Sequence, residues 1–166
     1  ECLRRDCEGS QKLVKGQKVT GWKLILAGGS LSDPKNNSYL KCLQDKARKL
    51  PVEFVVNPSF SELKNIYSKS KIYWHAAGFG VDENVHPENT EHFGITVVEA
   101  MASGLVPVVV SQGGIPEIIE DGTDGFLWTS LEELILKTKN LIKHSQMLKN
   151  MSQQASINCQ RFSKDN

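Results

Sequence analysis

EHFGITVVEAMASGLVPVVVSQGGIPEII, residues 91–119, decides the fold of this chain. The stretch predicts a loop, a helix over 94–103, an apolar strand over Val106–Val110, a turn at Gly113 and Gly114, and a further helix. This order directs helix N-termini and acidic side chains at one crevice. Such a crevice suits a ligand that carries both phosphates and hydroxyls.

The alternation of strands and helices continues on both sides of this stretch. Ser59 and Glu62 form a capping box that predicts the start of one helix. We predict further strands at 22–27, 52–56, 71–75 and 126–128, and further helices at 36–49, 115–120, 130–142 and on to Phe162. Apolar strands that alternate with helices are typical of a parallel sheet covered on both faces. The predicted fold is therefore an α/β, Rossmann-like, doubly wound parallel sheet.

The beginning of the chain does not fit this pattern. Residues 1–21 are polar and contain no strand, whereas a domain of this type normally opens with one. We interpret the region around Cys2–Val14 as part of the first helix, which implies that the first strand is missing. Residues 1–166 are then expected to form a single domain, as a fragment of a larger protein.

The composition excludes some classes of function. Hydrophobic residues make up 39% and charged residues 23% of the 166 residues, as in globular proteins. The net charge of +1, from 20 basic and 19 acidic residues, disfavours a nucleic-acid or membrane-surface binder. No apolar run approaches the roughly 20 residues of a membrane span, and the first residues carry no signal-peptide core.

The four cysteines are Cys2, Cys7, Cys42 and Cys159, and none of them forms a CxxC pair. Free thiols in a reducing compartment are the favoured interpretation, with a Cys2–Cys7 bridge as the alternative.

The loop over 76–90 has no periodicity and is long for a compact domain, which is typical of a functional loop. Asp82, Glu83, His86 and Glu88 resemble metal ligands in type. Because no second histidine lies at ligand spacing, we favour a flexible acidic loop and predict no metal site.

Two carboxylates, Glu91 and Glu99, stand on either side of the predicted helix start. The N-terminus of a helix carries unpaired N–H groups and partial positive charge, so it can bind a diphosphate. Glu91 could accept hydrogen bonds from sugar hydroxyls, and Glu99, about one and a half turns into the helix at ~3.6 residues per turn, could reach ribose hydroxyls. On spacing alone, two solvated glutamates are the favoured interpretation, because two glutamates eight residues apart are common.

The wider string resembles the signature of glycosyltransferase family 4 in the GT-B superfamily. That signature is a Glu, seven residues, Glu-Ala-Met-Ala, a small residue and Gly, then Pro-Val-Val and a Gly-Gly turn. The similarity extends upstream through ILAGG and NPSFSELKNIYSKSKIYWHAAGFG and covers roughly residues 22–128. The resemblance is specific because order, spacing and flanking strands all agree.

The resemblance implies that the chain is the C-terminal, donor-binding half of a two-domain enzyme. Such an enzyme would transfer a hexose from a nucleotide-diphosphate sugar with retention of configuration, without metal or other cofactor. Glu91 would contact the donor sugar at the reacting centre, and Glu99 would bind the ribose. The amides that serve the sugar and diphosphate would be those of Phe93, Gly94, Ile95 and Thr96. Helix dipoles and basic side chains would stabilise the leaving diphosphate.

Further donor contacts follow from the same resemblance or from position. His92 lies beside Glu91 and is expected to line the site. Asn57-Pro58 matches the place where the family's backbone contacts the base, although an ordinary strand-ending turn is equally consistent. Gly113-Gly114 could bring backbone near the sugar or merely turn the chain. For His75 at a strand end, a satisfied core histidine is favoured over a cleft residue.

Two parts of the family pattern are missing. The phosphate-binding Arg and Lys follow the family's first strand, and Lys12 and Lys15 lie too close to the next strand to replace them. The acceptor, whether saccharide, lipid or another molecule, would bind mainly to the absent N-terminal domain. The isolated chain is therefore expected to bind donor weakly and to transfer nothing.

A non-catalytic GT-B-like nucleotide-sugar-binding or interaction module remains the alternative function. A nucleotide-sugar epimerase on the same superfold would need different carboxylate placement. A nucleotide-sugar ligand and the lack of an export signal predict cytoplasmic residence, with attachment to the cytoplasmic face of a membrane as a further possibility.

Overall fold

The computed structural model describes residues 21–30 and 34–163. The chain divides into two compact units, the first ending at Ile66 and the second beginning at Tyr67. The helix predicted around Cys2–Val14, together with Lys12 and Lys15, lies outside the described residues.

The first unit contains two parallel strands with helices following each of them. Strand β1 is Leu24–Gly28, helix α1 is Pro34–Ala47, strand β2 is Val52–Val56, and helix α2 is Phe60–Lys69, which crosses the boundary between the units. Leu24 of β1 pairs with Val52 of β2. The predicted capping box is confirmed: the Ser59 N–H donates to Glu62 Oε2 at 2.8 Å, and the Glu62 N–H donates to Ser59 Oγ at 3.3 Å.

The second unit contains a parallel sheet of order β3-β4-β5. Its elements are β3 Ile72–His75, α3 Ile95–Ala102, β4 Val106–Val110, α4 Ile115–Ile118, β5 Phe126–Trp128, α5 Leu131–Lys143, α6 Ser145–Asn158, and short 3₁₀ helices at Pro87–Asn89 and Cys159–Phe162. The predicted α/β fold with parallel strands is confirmed. Strands β4 and β5 have the predicted bounds, and most helices begin or end within one or two residues of the predicted positions.

Strand β4 is the centre of the second unit, and all five of its residues are buried. Val106, Val108 and Val110 belong to one apolar cluster, together with residues of β5, α5 and α6. Val109 belongs to a second cluster with residues of α3, α4 and α6. Full burial of each valine contributes about 1.5–3 kcal/mol. Helices therefore cover both faces of this sheet, as a doubly wound arrangement requires.

Pro107 occupies a central strand, where proline is normally excluded because it lacks an N–H. The Val106 N–H donates to the Lys71 carbonyl beside β3, at 2.9 Å, so the nitrogen of Pro107 faces the opposite side. There the pairing with β5 begins only at Val108, opposite Phe126. The N–H that Pro107 lacks is therefore not needed, because its position comes just before the backbone pairing between β4 and β5 begins.

The carboxyl ends of parallel strands lie at one edge of the sheet. His75 ends β3, and the Gly113-Gly114 turn follows the end of β4. Within the described ranges, no helix has both the length and the apolar composition needed to cross a bilayer.

Candidate functional site

Glu91 lies between the loop over 76–90 and helix α3, and its carboxylate binds two amides just before the helix starts. Its Oε1 accepts the Gly94 N–H at 3.1 Å and the Phe93 N–H at 3.4 Å. The side chain is 33% exposed, so solvent or a ligand can reach it. A carboxylate in this position is stabilised by the partial positive charge of the helix N-terminus.

Gly94 is the N-cap of α3 and adopts a left-handed backbone conformation, with φ of 74°. A Cβ atom at this position would lie 2.7 Å from Ile115 Cδ1 and 3.2 Å from Ile118 Cδ1. Glycine is thus required both by the backbone conformation and by close packing against α4. Close approach of a ligand to Gly94 stays a prediction.

Two further amides at the start of α3 are not used inside the helix. The first intrahelical donor is Val97, whose N–H donates to the Gly94 carbonyl at 2.9 Å. The N–H groups of Ile95 and Thr96 have no partner within the described part of the chain, and both residues are exposed. These amides are free donors at the positive end of the helix dipole, which is the arrangement that binds phosphates.

His75 lies beneath Glu91 at the end of β3. Its Nε2 is 3.6 Å from Glu91 Oε2, and its side chain is only 8% exposed. Burial lowers the pKa of the His75 imidazole from its usual 6.5 despite the neighbouring carboxylate of Glu91. Burial alone would raise the pKa of the Glu91 carboxyl, but the amides of Gly94 and Phe93 and the nearby His75 outweigh it and lower that pKa from 4.5.

The lowered pKa values of His75 and Glu91 predict a loss of stability on acidification. Because the unfolded state takes up the histidine proton first, the free energy of unfolding falls as pH drops from 6.5 towards the lower pKa of folded His75. Glu91 adds a second loss as pH falls below 4.5. Denaturant titrations at several pH values should show that the free energy of unfolding decreases less steeply in His75→Gln than in wild type between about pH 7 and 5. An equal dependence of the free energy of unfolding on pH in the two proteins would contradict the lowered pKa of His75.

The turn after β4 packs directly against the Glu91 loop. The Gly114 N–H donates to the Glu91 carbonyl at 2.9 Å. A Cβ at Gly114 would lie 2.0 Å from the His92 carbonyl oxygen, and a Cβ at Gly113, whose φ is +60°, would lie 2.3 Å from the Glu91 carbonyl oxygen. These glycines therefore allow one backbone to approach another, a role the sequence did not reveal. Their contact with a sugar stays a prediction.

The loop over 76–90 is attached to the same turn. Glu83 Oε2 accepts the Gly113 N–H at 3.2 Å, and Gln112 Nε2 donates to the Val81 carbonyl at 2.6 Å. The sequence suggested Glu83 as part of a flexible acidic loop, in preference to a metal ligand, and did not reveal this attachment. No local signal could have found it, because the partners are about 30 residues apart.

The other polar residues of this loop pair with one another. Asp82 Oδ1 accepts the Asn84 N–H at 3.0 Å, and His86 Nδ1 lies 3.2 Å from Glu88 Oε1. In the part of the chain that the structure describes, no three His, Cys, Asp or Glu residues are grouped so that they could hold a metal ion.

The described cysteines, Cys42 and Cys159, are free thiols, whereas Cys2 and Cys7 lie outside the described residues.

Glu99 lies on the second turn of α3 and is exposed. Burial, with smaller contributions from Tyr73 and Glu99, raises the pKa of Tyr67 to about 12. Glu91 lies in the loop just before α3, and Glu99 lies on the second turn of that helix. His92 is exposed, and Phe93 is 51% exposed, with its ring against Phe162.

Asn57 and Pro58 belong to the first unit, directly after β2. Asn57 has a φ of 52°, in the left-handed region. Its Oδ1 accepts the Ser30 N–H at 2.8 Å, and its Nδ2 donates to the Ser30 carbonyl at 3.2 Å. The side chain thus holds the glycine loop that follows β1. A contact of Asn57 or Pro58 with a base stays a prediction.

Comparisons with known proteins all identify glycosyl transferases as the proteins that this chain resembles. A family model described as "Glycosyl transferases group 1" matches residues 10–157. A GDP-Man:Man(3)GlcNAc(2)-PP-Dol alpha-1,2-mannosyltransferase of Dictyostelium discoideum is 28% identical over 149 residues, which are 87% of this chain and 27% of that protein. The chain therefore spans about a quarter of the length of this curated relative.

Solved structures share the fold. Anabaena HepE in complex with UDP superposes with a TM-score of 0.74 and 21% identity, covering 93% of this chain and 40% of that one. The C-terminal domain of LpcC, a glycosyl transferase group 1 family protein from Francisella tularensis, superposes with a TM-score of 0.66 and 19% identity, covering 92% of this chain and 91% of that domain.

Proposed function

The chain belongs to the glycosyl transferases group 1 family, and from this premise we propose that it binds the nucleotide-diphosphate sugar donor of a hexosyltransferase. The observation that carries the proposal is the start of α3. There, the carboxylate of Glu91 and the free amides of Ile95 and Thr96 lie at one helix N-terminus, and Glu99 is exposed on the next turn.

The donor diphosphate is expected at the N-terminus of α3, where the amides of Ile95 and Thr96 can donate to its oxygens. The same amides and the helix dipole would stabilise the charge that develops as the nucleoside diphosphate leaves. Because this stabilisation comes from the backbone, the transfer requires no metal. The sugar then extends towards Glu91, His92 and the Gly113-Gly114 turn.

Glu91 would accept hydrogen bonds from sugar hydroxyls at the reacting centre, and Glu99 would accept them from the ribose. We propose that transfer retains the anomeric configuration, with the leaving diphosphate and the acceptor on the same face of the sugar. The names of the relatives support a nucleotide-sugar donor, since one includes GDP-Man and one structure contains UDP.

We further propose that this chain is the donor-binding part of a longer enzyme, because it spans only 27% of its mannosyltransferase relative. The acceptor, a saccharide, lipid or other molecule, would bind mainly to the remaining part. A nucleotide-sugar donor places the reaction in the cytoplasm or at the cytoplasmic face of a membrane.

Isothermal titration calorimetry of the full-length protein with UDP-glucose, UDP-N-acetylglucosamine, GDP-glucose and GDP-mannose tests the proposal. We expect at least one of them to bind with a Kd in the range of roughly 1 μM to 1 mM, which is usual for enzyme substrates. Addition of EDTA should leave the affinity unchanged. Absence of binding to a folded protein would contradict a donor site and favour a non-catalytic interaction module.

A further inference from the structure

His75 has no part in the proposed donor contacts, yet its imidazole is directed at the residue on which they depend. It is the last residue of β3, and the structure holds its side chain 8% exposed beneath Glu91. Its Nε2 faces Glu91 Oε2 at 3.6 Å, slightly longer than a standard hydrogen bond.

The second ring nitrogen decides the protonation of this imidazole. His75 Nδ1 is buried and has no hydrogen-bond partner among the described residues. An N–H at Nδ1 would be a buried donor without an acceptor, which is costly. The proton of the neutral ring therefore belongs on Nε2, where it points at Glu91 Oε2.

The two oxygens of Glu91 have different partners. Oε1 accepts the N–H groups of Gly94 and Phe93, which the resemblance to the family assigns to the sugar and diphosphate together with those of Ile95 and Thr96. Among the residues that the structure describes, Oε2 faces only His75. A donor that takes over the two amides leaves His75 as the protein group that still holds the carboxylate.

We propose that His75 is a positioning residue, whose Nε2–H holds Oε2 of Glu91 and keeps the carboxylate aimed at the sugar while the donor occupies the helix amides. This inference rests on the proposed function, because it gives His75 a role through Glu91. The imidazole itself contacts neither donor nor acceptor. Its effect is therefore on the orientation of Glu91 in the donor complex.

Two substitutions separate this role from simple space filling. His75→Leu fills the buried site with an apolar side chain and removes the donor. His75→Gln keeps an N–H donor at nearly the distance of Nε2 from the backbone. The full-length proteins are compared for thermal unfolding and for release of UDP from UDP-glucose and of GDP from GDP-mannose.

We expect His75→Leu to lower kcat by up to about a hundredfold with the donor KM little changed. Displacement of a catalytic group by about 1 Å has effects of this size. His75→Gln should recover most of the lost kcat. Wild-type kcat in a folded His75→Leu protein, or equal losses in the two folded variants, would overturn the positioning role alone. A wild-type protein that neither binds nor cleaves either donor would overturn the proposed function and the role together.

Nitrogen-15 NMR of the wild-type protein gives a result even where a variant fails to fold or the release of nucleotide is too slow. We expect the His75 ring to show the Nε2–H tautomer both free and with UDP-glucose or GDP-mannose added. A Nδ1–H tautomer, or loss of the Nε2 proton in the donor complex, would overturn the proposal.

Discussion

Replacement of Glu91 by Gln is expected to lower the release of nucleoside diphosphate by the full-length protein about a thousandfold, the size seen when one electrostatic group at a reacting centre is removed. The amide oxygen of Gln can still accept the Phe93 and Gly94 N–H groups that the carboxylate accepts at 3.4 and 3.1 Å. The charge at the sugar end is lost, and the amide NH₂ that replaces Oε2 cannot accept the Nε2–H of His75, because both groups are donors. The variant should therefore fold and bind nucleotide but lose turnover.

Steady-state kinetics with UDP-glucose and GDP-mannose measure this loss, and circular dichroism verifies the fold. Glu132→Gln, an exposed glutamate on α5, is the matched control and should retain wild-type turnover. Turnover within about tenfold of wild type in a folded Glu91→Gln protein would remove Glu91 from the reacting centre.

Replacement of Gly114 by Ala is expected to destabilise the protein by about 2–3 kcal/mol, the upper range for added atoms in a packed site, and to abolish measurable donor binding. The new Cβ would lie 2.0 Å from the His92 carbonyl oxygen and 2.8 Å from its carbonyl carbon. Backbone must move to admit it, because no flexible side chain stands in the way. Since the Gly114 N–H also holds the Glu91 carbonyl, the displaced loop carries the catalytic carboxylate with it.

Gly28→Ala is the matched control, because a Cβ at Gly28 has nothing within 4 Å. Gly114 has a φ of −78°, so its substitution introduces a clash without backbone strain. Denaturant unfolding and calorimetry of both variants measure stability and donor affinity. Equal stability and affinity in the two variants would show that the loop tolerates the displacement.

Local patterns were sufficient for the elements that position the site. Val106–Val110 was recognised because a strand buried on both faces needs a continuous apolar run, and the structure buries all five residues. The Ser59–Glu62 pair marks a helix start through contacts three residues apart, and it forms as predicted. Signals of this kind lie entirely within a few residues of one another.

Long-range contacts could not be predicted from the sequence. The bond from Gly113 to Glu83 and the approach of Gly114 to the His92 carbonyl join segments that meet only after folding. Sequence reasoning therefore assigned the glycines to a ligand or a turn and treated Glu83 as part of a flexible loop. The reciprocal bonds between Asn57 and Ser30 were missed for the same reason.

His75 shows most clearly which contacts cannot be predicted from the sequence. A histidine at a strand end predicts a satisfied core residue, and burial confirms the core position. The unpartnered Nδ1 and the Glu91 carboxylate at 3.6 Å from Nε2 are visible only in three dimensions. A loop of 15 residues separates the two side chains along the chain, so no periodicity connects them.

The affinities of UDP and UDP-glucose, or of GDP and GDP-mannose, for wild type, Glu91→Gln and Glu99→Gln test the central claim most directly. If Glu99 holds the ribose, its substitution weakens nucleotide and nucleotide sugar by the same factor, about tenfold for loss of a charged hydrogen-bond acceptor. If Glu91 holds the sugar, its substitution weakens only the nucleotide sugar. Unchanged affinities in Glu99→Gln, or equal weakening of both ligands in Glu91→Gln, would contradict a single donor site with its sugar end at Glu91 and its ribose end at Glu99.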